Sequence, residues 1–280
     1  MDLDLPRTAI HDFGDTVAFP NFLEHDEQRR PPENATNRPR IQYFFLARIS
    51  LKRLISRVHD AVHMCKQAFS SCKLLTDCLQ DAEEHLTDHG GPPVQVVSEL
   101  ARQLDEWRDF LPDPLQWEDE NVGIPSPDRS PGQPPDFQHG LDVMTAELRT
   151  RFYYARFILF RPFIFKALHF AEMMSPYDVE CAAYAIKAVN LWPIAMSPVR
   201  YTKRLIPHLF TWTQNFVGIL LILWVLLHNE QLGGPYREQL DRTEIQETIT
   251  LIWEWMNDIR QVDGIAEWSW QILEPLFTRG

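Results

Sequence analysis

Twelve consecutive residues, Phe216 to Leu227, carry no polar side chain, and they restrict the fold of this 280-residue chain more than any other stretch. A helix that is apolar on every side belongs either inside a protein core or in a bilayer. At about 1.5 Å per residue the run covers about 18 Å, against about 30 Å of membrane hydrocarbon. Extending it backwards brings in Thr211, Thr213, Gln214 and Asn215. Length therefore favours a central core helix, with Leu220, Leu223, Trp224 and Leu227 nearly fully buried. A membrane-attached helical protein anchored through the same run is the rival reading.

A core helix needs other helices around it, and the rest of the chain supplies them. Residues 1–39 are polar, non-periodic and broken by prolines, which reads as an extended, partly disordered lead-in. The helical domain is expected over 40–280. From Arg40 to about Leu86, the residues Ile55, Val58, Val62, Cys65, Phe69, Cys72 and Leu79 follow a 3-4 cadence, with a weak point at Ser70-Ser71. After Gly90-Gly91-Pro92-Pro93, the residues Leu100, Leu104, Trp107 and Leu111 share the face of a second helix, which Pro112 and Pro114 end. The proline-rich stretch 118–140 reads as a loop. Leu141 to His169 follows as an aromatic-rich helix, and Pro162 inside it predicts a kink or break near Arg161.

Ser175-Pro176-Tyr177-Asp178 has the order of a helix start: a Ser cap, Pro at the first position and a carboxylate near the positive end. Pro193 and Pro198 are expected to close that helix. Further helices are expected over 202–229, over 235–260 after Gly234-Pro235, and near 265–277. No stretch alternates as a half-buried strand does. The expected class is all-α, an irregular multi-helix domain with a proline-rich insert.

Composition narrows the chemistry. With 27 Lys plus Arg against 39 Asp plus Glu, the formal charge of −12 gives no general pull toward nucleic acid. Met1 to Arg7 lacks the basic start and apolar stretch of a signal peptide, so Asn34-Ala35-Thr36 is a chance sequon. Cys65, Cys72 and Cys78 have gaps that zinc clusters use. On one helix, however, Cys65 and Cys72 lie about 20° apart while Cys78 is rotated about 220° from Cys65. Small buried hydrophobes are the simpler account of Cys65 and Cys72.

His59-Asp60-Ala61-Val62-His63 resembles the two-histidine zinc-protease signature, but Asp replaces the Glu base and no third ligand stands in a recognisable pattern. No nucleophile elbow, phosphate loop, dinucleotide fingerprint or calcium loop occurs. The expectation is no enzyme and no catalytic, cofactor-binding or metal residues. A helical metal-dependent hydrolase using His59 and His63 is the alternative. Basic positions Arg48, Lys52, Arg53 and Arg57, and Arg149, Arg151, Arg156, Arg161 and Lys166, read as polar rims of buried helices with their heads in water. Trp253, Trp255, Trp268 and Trp270 read as core staples, with a carbohydrate or partner surface as the alternative.

Three stretches together resemble the regulatory middle region of fungal binuclear zinc-cluster transcription factors. They are Tyr43-Phe44-Phe45-Leu46-Ala47-Arg48-Ile49-Ser50-Leu51-Lys52-Arg53-Leu54; Glu99 to Arg108 with Leu111-Pro112 and Leu115-Gln116-Trp117; and Leu148-Arg149-Thr150-Arg151-Phe152-Tyr153-Tyr154-Ala155-Arg156-Phe157, continuing through Arg161-Pro162-Phe163 to His169. The resemblance covers roughly residues 40–230. It implies a nuclear helical domain that modulates RNA polymerase II transcription through intramolecular, protein-partner or small-molecule effector contacts. Members of the family carry a six-cysteine zinc cluster, and no cysteine precedes Cys65 here. The resemblance thus implies zinc only in a longer form or through a fused cluster domain. For this chain alone it implies neither sequence-specific DNA binding nor structural zinc; the expectation of no membrane association rests on the length of Phe216 to Leu227.

Overall fold

The computed structural model describes residues 38–74, 91–119, 135–195, 210–229 and 241–278. Its regular structure is helical: α1 Arg38–Leu74, α2 Val94–Asp109, α3 Pro135–His169, α4 Pro176–Ala195, α5 Phe210–His228, α6 Arg242–Ile259 and α7 Gly264–Thr278, with 3-10 turns at Asp113–Leu115 and Ala171–Met173. No strand occurs among the described residues. The class is all-α, and a single apolar core reaches from Phe44 in α1 to Leu273 in α7.

The architecture is built around α3 and α4. Their ring contacts pair Phe157 with Trp192, Phe160 with Tyr184 and Phe163 with Tyr177, so partner numbers fall as α3 numbers rise. The two helices are therefore antiparallel neighbours. α1 and α2 pack against α3 and against each other, while α6 packs on α4 and α5, and α7 on α5 and α6. On α1 the apolar stripe survives as Phe44, Ala47, Leu51, Val58 and Val62. On α2 it is Val97, Leu100, Leu104 and Trp107, and Leu111 follows in the turn.

The start of α4 is a reciprocal cap. Asp178 N donates to Ser175 Oγ at 3.2 Å, and Ser175 N donates back to Asp178 Oδ2 at 2.8 Å. Two of the orphan amide donors at the helix end are satisfied in this way.

Several boundaries differ from the expectations. α1 remains helical through Ser70 and Ser71 as far as Leu74; the expected continuation to Leu86 lies outside the described residues, as do the lead-in to 37 and the sequon. α3 begins at Pro135, six positions before Leu141, because proline suits the first helical position, where its missing N–H costs nothing. Of the kink or break expected near Arg161, the break is absent: α3 is helical on both sides of Pro162 and through it. A proline here removes one backbone bond, at about 3 kcal/mol. Phe157, Ile158, Leu159, Phe160, Phe163, Ile164 and Ala167 are buried on both sides of it, and that packing outweighs the loss. Phe157 and Phe163 meet different residues of α4, Trp192 and Tyr177, as the antiparallel register requires.

α4 includes Pro193 and ends at Ala195, while Pro198 lies outside the described residues. The described part of α6 starts at Arg242, where the Asp241 side chain accepts from Thr243 N at 2.8 Å; Gly234-Pro235 lies outside. α5 is buried on one side only. Phe216, Ile219, Leu220, Leu223 and Leu226 are buried, whereas Trp224 and Leu227 are half-buried and Leu221 is exposed. Burial of Leu220 and Leu223 agrees with the expectation; that of Trp224 and Leu227 does not, because α4, α6 and α7 leave part of the helix surface uncovered. No helix among the described residues is long and apolar enough to cross a membrane.

Candidate functional site

The alternative metal position, His59 and His63, gathers no third ligand among the described residues. His59 Nε2 lies 3.0 Å from Tyr154 Oη, with the rings 5.6 Å apart, so this nitrogen is engaged by a tyrosine of α3. His63 is exposed farther along α1. The side chains of Cys65 and Cys72, and all of Cys78, lie outside the described residues. Among the described residues no three His, Cys, Asp or Glu side chains cluster to hold a metal. Cys181 is buried in α4, and burial pushes its thiol up to about 11, which keeps it protonated and poorly nucleophilic at neutral pH.

A different place concentrates charge. α2, α3 and α4 enclose a cleft of about 650 Å³, and a hollow of about 370 Å³ adjoins it beside Gln116 and Trp117. Helical spacing explains the assembly. Ala101, Asp105 and Arg108 recur on one face of α2; Phe152, Arg156 and Phe160 do so on α3; Tyr184, Lys187 and Ala188 line the α4 wall.

An aromatic cluster lies beneath the two hollows. Trp107, Trp117 and Phe152 meet with centroids 5.7–6.3 Å apart. Two arginines lie on these rings: Arg108 Cζ is 5.0 Å from the Trp117 centroid, and Arg156 Cζ is 5.4 Å from that of Tyr184 and 5.6 Å from those of Phe152 and Phe160. A guanidinium is flat and weakly hydrated, so it can lie among aromatic faces and keep its in-plane donors free for carboxylates.

Asp119 is the fixed anion of the cleft. Tyr153 Oη donates to Oδ1 at 2.5 Å, Arg108 Nη1 reaches the same oxygen at 2.8 Å, and Lys187 Nζ reaches Oδ2 at 3.0 Å. Burial by itself would raise the Asp119 carboxyl, but Tyr153, Lys187 and Arg108 outweigh it and hold it below the ordinary value. The same burial and the Asp119 charge push the Tyr153 phenol up, so it stays a neutral donor. Trp117 Nε1 donates to Tyr153 Oη at 3.2 Å and fixes that phenol in turn.

Arg156 is held differently. Its Nη1 donates to Asp105 Oδ1 across the α2–α3 seam; the arginine side chain is 16% exposed and the aspartate 52%. The cleft therefore has a sunken cation whose partner stands in water.

Of the basic positions expected to have their heads in water, Lys52 and Arg57 do, but Arg149 and Lys166 are buried. Lys166 Nζ donates to Asp178 Oδ2 at 2.9 Å, and a charge at that depth requires such a partner. Trp255 and Trp270 are buried and Trp253 is half-buried, as core staples should be, while Trp268 is 65% exposed. Asp105, Asp119, Tyr184 and Lys187 were not legible as site residues, because only tertiary packing brings them together.

Comparison with family models, with curated proteins and with solved structures found no match.

Proposed function

We propose that the chain is the helical regulatory domain of a fungal transcription factor, acting in the nucleus on RNA polymerase II transcription through intramolecular, partner or effector contacts. The observation that carries the reading is the convergence of the three motif-bearing segments. Trp107 Nε1 of the second donates to Ser50 Oγ of the first at 2.9 Å and lies 3.2 Å from Ala47 O. Arg48 of the first reaches Glu147, next to the third, at 3.0 Å. Arg156 of the third pairs with Asp105 of the second. Residues that resemble a family at three separated places thus serve one piece of architecture, as a shared regulatory unit would require. The reading gives the chain no catalytic role and no zinc, and leaves DNA recognition to a fused or partner module.

A reporter assay tests it. The chain is inserted between a heterologous DNA-binding domain and an activation domain in a fungal cell. Insertion is expected to change reporter output, and Phe152→Ala, which removes the centre of the aromatic cluster, to abolish that change. Output equal to that of a flexible linker of the same length would overturn the reading. Sequence-selective, submicromolar DNA binding by the chain alone at physiological salt would overturn the DNA part.

A further inference from the structure

We propose that the α2/α3/α4 cleft binds a small organic monoanion with a flat apolar body, whose carboxylate takes the place of Asp105 on Arg156. The inference rests on the regulatory reading for its purpose, and names the effector class that the cleft would take.

A volume of about 650 Å³ lies within the range of ligand sites, roughly 300–1,000 Å³. Its walls supply both halves of the ligand's chemistry. Tyr184, an exposed ring, offers surface to a flat body, and Arg156 lies over it and over the buried Phe160 with its donors aimed at a carboxylate. The carboxylate now there is replaceable: Asp105 is 52% exposed and regains water when it leaves, whereas Arg156, 16% exposed, cannot do without an anion at equal ease. Lys187 is the second available cation. It is the third donor to Asp119, 61% exposed, and Tyr153 and Arg108 still hold that carboxylate when Lys187 swings to a ligand. Glu106, which Arg102 already pairs, and Asp109 also line the cleft; with Asp105 displaced its walls carry one net positive charge, which matches a monoanion.

Occupancy has a mechanical consequence. The Asp105–Arg156 pair ties α2 to α3, so a ligand that replaces Asp105 unties the seam at that point. Because ligand and Asp105 compete for one guanidinium, removing the Asp105 charge should strengthen binding, a sign opposite to that of most site substitutions.

The test is calorimetric titration of the full chain with benzoate and indole-3-acetate, beside benzamide and indole-3-acetamide. The carboxylates are expected to bind and the amides not. Asp105→Asn should tighten carboxylate binding several-fold, and Lys187→Ala should weaken it about tenfold, the scale of one lost charge-assisted contact. Arg156→Lys should abolish binding; since Lys187 is exposed, Lys187→Ala keeps the test informative if the arginine variant fails to fold. The proposal is overturned if neither carboxylate binds up to about 10 mM, beyond the range of weak ligands. Amides binding equally well, or Asp105→Asn and Lys187→Ala leaving affinity unchanged, would also overturn it. Binding without a reporter effect would remove the regulatory reading and leave the site; a reporter effect without binding would do the reverse.

Discussion

α3 meets a neighbour on each of two sides, and the two seams are built from different chemistry. Against α4, away from the cleft-lining Tyr184, the contact is buried. Phe157 lies on Trp192, Phe160 on Tyr184 and Phe163 on Tyr177, and Lys166 is paired with Asp178 at 4% and 7% side-chain exposure. Against α2 the apolar residues Leu104 and Trp107 are buried, but the ion pair that ties the two helices, Arg156 to Asp105, lies along an open cleft. An ion pair loses most of its strength in water and is costly to break in a dry core. One helix thus has a seam that resists separation beside a seam that can be loosened, which is what a domain responding to partners or effectors needs.

The largest expected effect is at the α3–α4 seam. Lys166→Met leaves the Asp178 carboxylate buried with only Ser175 as donor, and should cost about 3–5 kcal/mol in a denaturant melt. A loss below about 1 kcal/mol, the value of an exposed pair, would place this seam in the same class as the other.

Acid should reveal the same seam. Burial would raise the Asp178 carboxyl, but hydrogen bonds from Lys166 and Ser175 outweigh it, so it lies below the ordinary value, as does that of Asp119. A depressed carboxyl contributes stability above the unfolded value, about 3.9, and loses it as pH falls through the lower folded value. The melting temperature should therefore fall as pH drops below about 4, and Asp178→Asn should flatten part of that limb. A limb identical in the variant would contradict the assignment to Asp178.

Tyr153→Phe is the intermediate case. It takes from Asp119 its 2.5 Å donor and from Trp117 Nε1 its acceptor, while Arg108 and Lys187 remain. The expected cost is about 1–3 kcal/mol in the same melt. Asp105→Asn should be smallest, about 0–1 kcal/mol, because its carboxylate is half in water. If Asp105→Asn cost as much as Lys166→Met, the contrast between the seams would be lost.

The sequence carried this contrast unevenly, for physical reasons. α2 was legible because it has one apolar face, Leu100, Leu104 and Trp107, and α4 because Ser175 and Asp178 form a local cap. α3 was legible as a helix but not in its limits or its continuity. It is buried on nearly every side, charged residues included, so no single apolar stripe marks its face, and the local penalty of Pro162 is overridden by packing that no local rule contains. α5 erred the opposite way: twelve apolar residues implied burial all round, yet its neighbours leave part of its surface uncovered and Leu221 exposed. In the cleft, Arg156 stood out as a basic position but its role did not. Asp105 is 51 positions away, and no spacing rule links residues joined only by the packing of α2 on α3.

The central claim is that the α2–α3 seam opens more easily than the α3–α4 seam. Native-state hydrogen exchange at increasing low denaturant measures this directly, helix by helix. Amides in the middle of α2, around Leu100 to Leu104, should exchange through a sub-global opening at lower free energy than those of α3 and α4 around Phe157 and Ile186, and Asp105→Asn should widen the gap. If α2, α3 and α4 all exchange only at the global unfolding free energy, and Asp105→Asn leaves that pattern unchanged, the two seams are equivalent and the account is wrong.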